Sequence, residues 1–382
     1  MNRFIAAMIF SASVVLLLAG GCKSGKVQKQ QTSDQTKGLK DLYKNYFTMG
    51  AAVSPQGLKR TEEAQLIIQQ FSSMTPENAM KMGPIHPREN EYFWKDADSI
   101  VAFAKLHNLK IRGHCLCWHN QTPRWLFIDS TKNPPDTVSK EVLLKRLKDH
   151  ITAVVSRYKG SVYAWDVCNE VISDNPNEYF RNSPWYHICG EEFVEKAFEY
   201  AHAADPNALL FYNDYNETNP IKREKIIRLV KNLKDKGVPI NGVGLQAHWS
   251  IREITDGQID STISDFAKLD LKIQITELDL KVQPNGAAAR QDTVTGYTPE
   301  REAKQTEQYK MIFQLFRKYK SVISAVTFWN VSDRYSWLDT RGRGKAYPLL
   351  FDTTYHPKKA YWEVVNFDKK EKIEKSDGKK AF

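Results

Sequence analysis

The sequence predicts a single (β/α)8 barrel, and three observations carry that prediction. Short runs rich in β-branched and aromatic residues alternate eight times with longer amphipathic segments, over roughly 320 residues, a length that suits this fold. From residue 47 to the C-terminal lysines no Pro-rich or Gly-rich linker breaks the alternation, so one domain is indicated. Polar and aromatic side chains gather at the C-terminal ends of seven of the runs, the rim on which a barrel carries its chemistry.

The elements follow in order. Arg3 precedes an uncharged stretch from Phe4 to Leu18, and Ala19, Gly20, Gly21 and Cys22 come next. Residues 1–21 therefore read as an export signal, too short in its apolar part to be a spanning helix. Small residues leading into Cys22 resemble a bacterial lipoprotein signal, in which cleavage leaves the Cys22 thiol to carry lipid, although Ala19 stands where that motif usually has Leu. An ordinary secretory signal with an incidental Cys is the alternative. Residues 22–40, polar and rich in Gln, Lys, Ser and Thr, read as the lipidated Cys and a flexible tether.

Strands are expected at Phe47 to Val53, Phe71 to Thr75, Leu109 to Cys117, Val162 to Cys168, Ala208 to Asn213, Ile240 to Gln246, Leu271 to Thr276 and Val322 to Phe328. Helices between them are expected at Lys140 to Tyr158, Glu191 to Ala204, Pro220 to Lys236 and Glu302 to Lys320, where apolar residues recur at three and four spacing. The barrel then occupies residues 41–367, and 368–382 form a basic tail.

The net charge of +10 first suggests a nucleic-acid partner, but its distribution argues against one. The ends carry +7 of it, and +3 over residues 41–367 makes no stripe that could track a phosphate backbone. Cys115 and Cys117 share one face of a strand, while Cys168 is expected to point with Glu170 to the opposite kind of face. Buried free thiols, Cys189 included, are therefore expected in place of disulfides. Within the cluster His114, Cys115, Cys117 and His119, His114 and Cys115 alternate faces and no second ligand pair follows at finger-like spacing, so no metal site is expected.

Glu170 and Glu277 each close a strongly apolar run, on strands four and seven. Those strands face each other across a barrel, so the two carboxyls could flank a bond held between them, as glycoside hydrolysis requires. Trp, Asn, Gln and His around them suit sugar hydroxyls and apolar ring faces. No Walker loop, dinucleotide glycine fingerprint or nucleophile elbow occurs.

From about Leu42 to Phe367 the chain resembles family 10 glycoside hydrolases, the endo-β-1,4-xylanases. The resemblance rests on Thr75-Pro76-Glu77-Asn78-Ala79-Met80-Lys81, Gly113-His114 to Trp118-His119, Trp165 to Glu170, Tyr212 to Asn216, Gly244 to His248, Ile275 to Asp279 and Pro348 to Asp352, all in the family's order. Cys115, Cys117 and Cys168 stand where such enzymes commonly have Thr or Val. The resemblance implies a retaining double displacement on xylan or xylo-oligosaccharides, with Glu277 as nucleophile, Glu170 as general acid/base and no cofactor. His248 would hold the nucleophile and Asp279 would hold His248. Asn169 would meet the sugar 2-hydroxyl, and Glu77, Asn78 and Lys81 the neighbouring xylose. His114, Gln246, Trp329 and Trp337 would surround the attacked sugar, with Trp118 and Tyr215 beside it. Trp94, Trp125, Trp165 and Trp249 are expected in the core. The implied protein is a monomer, exported and held to the membrane by its N-terminal lipid alone. A barrel endo-β-1,4-glucanase and a non-catalytic glycan-binding lipoprotein are the alternatives.

Overall fold

In a computed structural model, which describes residues 37–284, 292, 294–340 and 344–367, eight parallel strands close on themselves. They are β1 Thr48–Val53, β2 Ser73–Pro76, β3 Lys110–Trp118, β4 Val162–Asn169, β5 Leu209–Asp214, β6 Gly242–Leu245, β7 Lys272–Lys281 and β8 Ile323–Phe328. Each pairs with its neighbours in chain order, and β8 returns to β1 with Gly50 opposite Thr327. The expected barrel is therefore present. Export signal, Cys22, most of the tether and the basic tail lie outside the described residues.

The strands are buried almost throughout their lengths, which is why they read as apolar runs instead of strict alternation. Inside so narrow a barrel some positions admit no side chain. A Cβ on Gly113 would come within 2.1 Å of the Trp165 ring, and one on Gly244 within 2.2 Å of Asn213 Oδ1, which confines both positions to glycine.

Outer helices start where the sequence supplies caps. Asn219 Oδ1 accepts from the amides of Ile221 and Lys222 ahead of the helix Pro220–Asp235, and Thr298 caps Pro299–Lys318. The Thr298-Pro299 cap starts that last helix three residues before the expected Glu302. The folded domain also begins earlier than residue 41. Leu39 is fully buried and its amide donates to Gln70 Oε1 at 3.0 Å, so Leu39–Leu42 forms a short helix against the barrel in place of the end of a tether.

A second boundary shift matters for the site. β7 was expected to stop at Thr276 but continues to Lys281, because beyond Ile275 it leaves β6 and pairs with the short strand His248–Ser250. That pairing sets Asp279 directly opposite His248. The expected faces of the cysteines also need correction. A register irregularity between His114 and Cys117 makes Cys117 the partner of Cys168. All four described cysteines are nevertheless free and buried.

Candidate active site

Glu277, nearly fully buried on β7, is surrounded by donors. Asn213 Nδ2 donates to its Oε1 at 2.8 Å, and His248 Nε2 lies 3.2 Å from Oε2. The other ring nitrogen of His248 is 2.8 Å from Asp279 Oδ2, which also accepts from Trp337 Nε1 at 2.8 Å. Burial disfavours charge on the imidazole, but the Asp279 and Glu277 carboxylates outweigh it and raise the His248 pKa to about 10. An imidazolium thus donates to a carboxylate on each side. Burial alone would raise the Glu277 pKa, yet the His248 hydrogen bond and the positive charges of His248 and Arg112 bring it down to about 2.

Glu170 receives the opposite treatment. Its oxygens accept from neutral donors, Trp118 Nε1 at 2.9 Å, Gln246 Nε2 at 3.1 Å and Asn169 Nδ2 at 3.4 Å. Burial raises its pKa, the Gln246 and Trp118 hydrogen bonds pull it back, and the charge of Glu277 pushes it up again, with a net shift upward. His119 approaches Glu170 at 3.9 Å, too far for a hydrogen bond. Burial and the nearby Arg181 lower the His119 pKa to about 4, so it is neutral there.

Backbone supports match this placement. Glu170 has a left-handed φ of 57°, a conformation that costs a non-glycine residue about 1–3 kcal/mol unless its surroundings impose it. The surroundings do. Its amide donates to the Asn213 carbonyl, its carbonyl accepts from Arg181 Nε at 2.8 Å, and the next two amides donate to Tyr212 Oη. Tyr212 Oη in turn donates to Asp214, which Lys222 faces at 3.2 Å.

Glu77, Asn78, Lys81, His114, Trp118, Asn169, Tyr215, Gln246, Trp329 and Trp337 all line one cleft with Glu170, Glu277 and His248, and Asp279 stands behind His248. The cleft encloses about 540 Å³, with Asn120, Gln121, His119 and Arg181 adding to its walls. At one end Lys81 Nζ donates to Asn78 Oδ1 at 3.1 Å and lies 4.8 Å from the Trp118 ring. Trp329 stands edge-on to His114 with centroids 5.2 Å apart. Tyr215 donates to Asp174 and accepts from Arg181 at 2.9 Å. The four tryptophans expected in the core stay out of the cleft, and Trp249 gives its indole proton to the buried Glu217.

Several site residues escaped the sequence reading. Asn213, which the sequence offers only as the end of the fifth strand, bridges Asn169 Oδ1 at 2.9 Å and Glu277. Asp166, fully buried, takes the Nδ1 proton of His114 at 2.7 Å and also accepts from Arg112. Burial lowers the His114 pKa despite Asp166, so a neutral ring turns Nε2 to the cleft. Spacing gave no signal for it, because a register shift between Asp166 and Cys168 breaks the alternation toward Glu170.

A family model for glycosyl hydrolase family 10 matches residues 38–367. The chain belongs to that family. A β-1,4-xylanase of Dictyoglomus thermophilum is 47% identical over 363 residues, spanning 94% of this chain and 99% of that relative. The solved xylanase XynB of Paenibacillus barcinonensis, complexed with a conduramine derivative, is 45% identical with a TM-score of 0.83 over 87% of this chain and 99% of its own. A glutamate-to-alanine mutant solved with xylotriose is 40% identical, with a TM-score of 0.82 over 86% and 99% of the two chains. The chain is a hydrolase of the same barrel fold.

Proposed function

We propose that this glycosyl hydrolase is an endo-β-1,4-xylanase acting by retaining double displacement, with Glu277 as nucleophile and Glu170 as general acid and then base. The observation that carries the division is the opposite electrostatics of the two carboxyls. Glu277, hydrogen-bonded by an imidazolium, is held ionised, whereas Glu170, served by neutral donors, is held toward its protonated form. Attack by a Glu277 oxygen on the anomeric carbon breaks the glycosidic bond as Glu170 gives its proton to the leaving oxygen. The glycosyl ester removes the Glu277 charge that had raised the Glu170 pKa. Glu170 then takes a proton from water, whose oxygen attacks the same carbon and releases Glu277.

Asn169, tied to Asn213 and Gln246 at 2.9 and 3.2 Å, is held to meet the sugar 2-hydroxyl, where hydrogen bonding strengthens as positive charge develops on the ring. The pair Trp329 and Trp337 supports a preference for xylose, which lacks the hydroxymethyl group that a glucosyl unit would press against them. Polysaccharide assays should show reducing-sugar release from xylan and little from carboxymethyl cellulose. Equal rates on both would favour a mixed-specificity glucanase, and no release from either would favour a binding protein. Proton NMR of the earliest products should show the β anomer first, and an α anomer would remove Glu277 from the nucleophile role.

The rate profile should be bell-shaped, with kcat/KM rising through the low pKa of Glu277 and falling through the raised pKa of Glu170. Replacing His248 by Asn takes away the imidazolium, so the acidic limb should move up toward the ordinary carboxylate range. An acidic limb that stays in place would disconnect it from Glu277.

For location we propose export and lipid anchoring through Cys22, supported by the apolar stretch that leads into it. Among the described residues no helix is long and apolar enough to cross a membrane. Cys22→Ser should pass into the soluble fraction with its catalysis unchanged, and persistent membrane association after detergent-free washing would count against the anchor.

A further inference from the structure

The closed end of the barrel, opposite the cleft, is strongly basic. All eight strands are parallel, so the last turns of the outer helices and the entries to the strands gather at that end. The segments in question run from the last two residues of the helix before each strand to that strand's first residue, with residues 37–47 ahead of β1. They hold fourteen Lys and Arg against four Asp, a net charge of +10, while residues 37–367 as a whole carry only +5. The outer helices and the cleft rim therefore carry −5 between them, and the domain is polarised along the barrel axis. Cations at helix C-termini are favoured by the helix dipole, which accounts for Lys105, Arg157 and Lys318. It does not account for Lys110 and Lys272, which open β3 and β7.

Much of this charge is available to a partner. Lys37, Lys44, Lys105, Lys110, Lys272 and Lys320 are exposed and make no ion pair among the described residues. Beside Lys105, Leu106 ends its helix 77% exposed, an apolar side chain set among cations. The described domain also begins and ends here. Lys37 leads into β1, and the Phe367 ring packs 5.1 Å from that of Tyr43, just ahead of the same strand. Fourteen residues separate Lys37 from Cys22, a chain that spans at most about 50 Å.

We propose that the closed end of the barrel docks on a bilayer of anionic phospholipid and so turns the cleft away from the membrane. Lysines near such a surface are attracted to its headgroup phosphates, and their contributions accumulate across a broad face. Leu106 adds an apolar contact at the boundary between headgroups and chains. The negative remainder of the domain is repelled by the same surface, which selects one orientation. The cleft, at the opposite ends of the strands, then faces the polymer. The proposal deepens the anchoring reading given for Cys22: a lipid there would hold this face within reach, so contacts that are individually weak suffice. Salt screens them, and they orient a lipid-held protein without keeping an unlipidated one on the membrane through washing.

The test uses residues 23–382, which lack the apolar stretch and Cys22 and keep the whole domain that matches 99% of a solved relative. Vesicle binding and lipidation can therefore fail separately. Co-sedimentation at about 0.02 M salt should show binding to vesicles of equal parts phosphatidylglycerol and phosphatidylcholine, none to phosphatidylcholine alone, and release at about 0.5 M salt. The triple variant Lys44→Gln/Lys105→Gln/Lys272→Gln should bind on the order of tenfold or more weakly. Lys59→Gln/Lys95→Gln/Lys304→Gln removes the same charge from exposed positions nearer the cleft end and should change binding less than about twofold. Both triple variants should keep the parent's rate on xylan, which shows that they are folded, and vesicle-bound parent should hydrolyse xylan as fast as free parent. Equal weakening by the two triple variants, or binding to phosphatidylcholine alone, would overturn the face. A rate on xylan that falls with the bound fraction would overturn its orientation. Retention by double-stranded DNA without binding to the anionic vesicles would assign the charge to a nucleic acid and overturn the membrane partner.

Discussion

Glu277→Ala and Glu170→Ala should each lower xylan hydrolysis on the order of 10²-fold or more, and should fail in different ways on an activated substrate. An aryl xylobioside with a good leaving group needs little help from an acid. The Glu170 variant should therefore still be glycosylated on Glu277, and with no base to activate water its intermediate should accumulate. Azide attacks without base assistance, so it should speed turnover of that variant and yield a β-glycosyl azide. The Glu277 variant has no carboxylate to form the ester and should show neither burst nor β-azide. Were azide to rescue Glu277→Ala to a β product while Glu170→Ala stayed inert on the activated substrate, the two roles would be reversed.

This asymmetry follows from what each strand brings to its glutamate. β7 runs past Glu277 to Asp279, and its pairing with His248–Ser250 converts one histidine into a cation held between two carboxylates. β4 ends at Asn169, and Glu170 follows in a left-handed turn fixed by Arg181, Tyr212 and the Asn213 carbonyl. The turn carries the Glu170 carboxyl to Trp118 and Gln246, which donate hydrogen bonds without adding positive charge. One carboxyl is thus stabilised as an anion and the other is not.

Strand order and the rim were legible because each barrel strand is a buried apolar run ended by polar residues, as Ile273 to Glu277 and Val162 to Glu170 illustrate. Ends of elements were less legible because they depend on partners distant in the chain. β7 continues past Thr276 only because His248–Ser250 lies beside it, and Leu39 joins the domain only because Gln70 accepts its amide. Cys117 and Cys168 were assigned to unlike faces because strict alternation was assumed through a segment where the register slips. Arg112 was missed for a related reason: a charged residue inside an apolar run gives no hint that its partner, Asp166, lies on the next strand.

Arg112→Met should destabilise the domain by about 3–5 kcal/mol, the range for removing one partner of a buried ion pair. The guanidinium is 1% exposed and donates to Thr75 Oγ1 at 3.2 Å, to the Thr276 carbonyl at 2.8 Å and to Asp166. Methionine fills much of the same volume, so the loss is chiefly electrostatic: Asp166, without any exposure, would be left with only the His114 ring beside it. The double variant Arg112→Met/Asp166→Asn removes that stranded charge and should recover a substantial part of the stability in urea unfolding. It should not recover full activity, because His114 loses the carboxylate that fixes its tautomer and its ring against Trp329. KM for xylo-oligosaccharides should therefore stay raised in the double variant after its stability returns. A single variant that unfolds within about 0.5 kcal/mol of the parent would show that the barrel interior rehydrates Asp166, and the account of this pair as the support beneath His114 would fail.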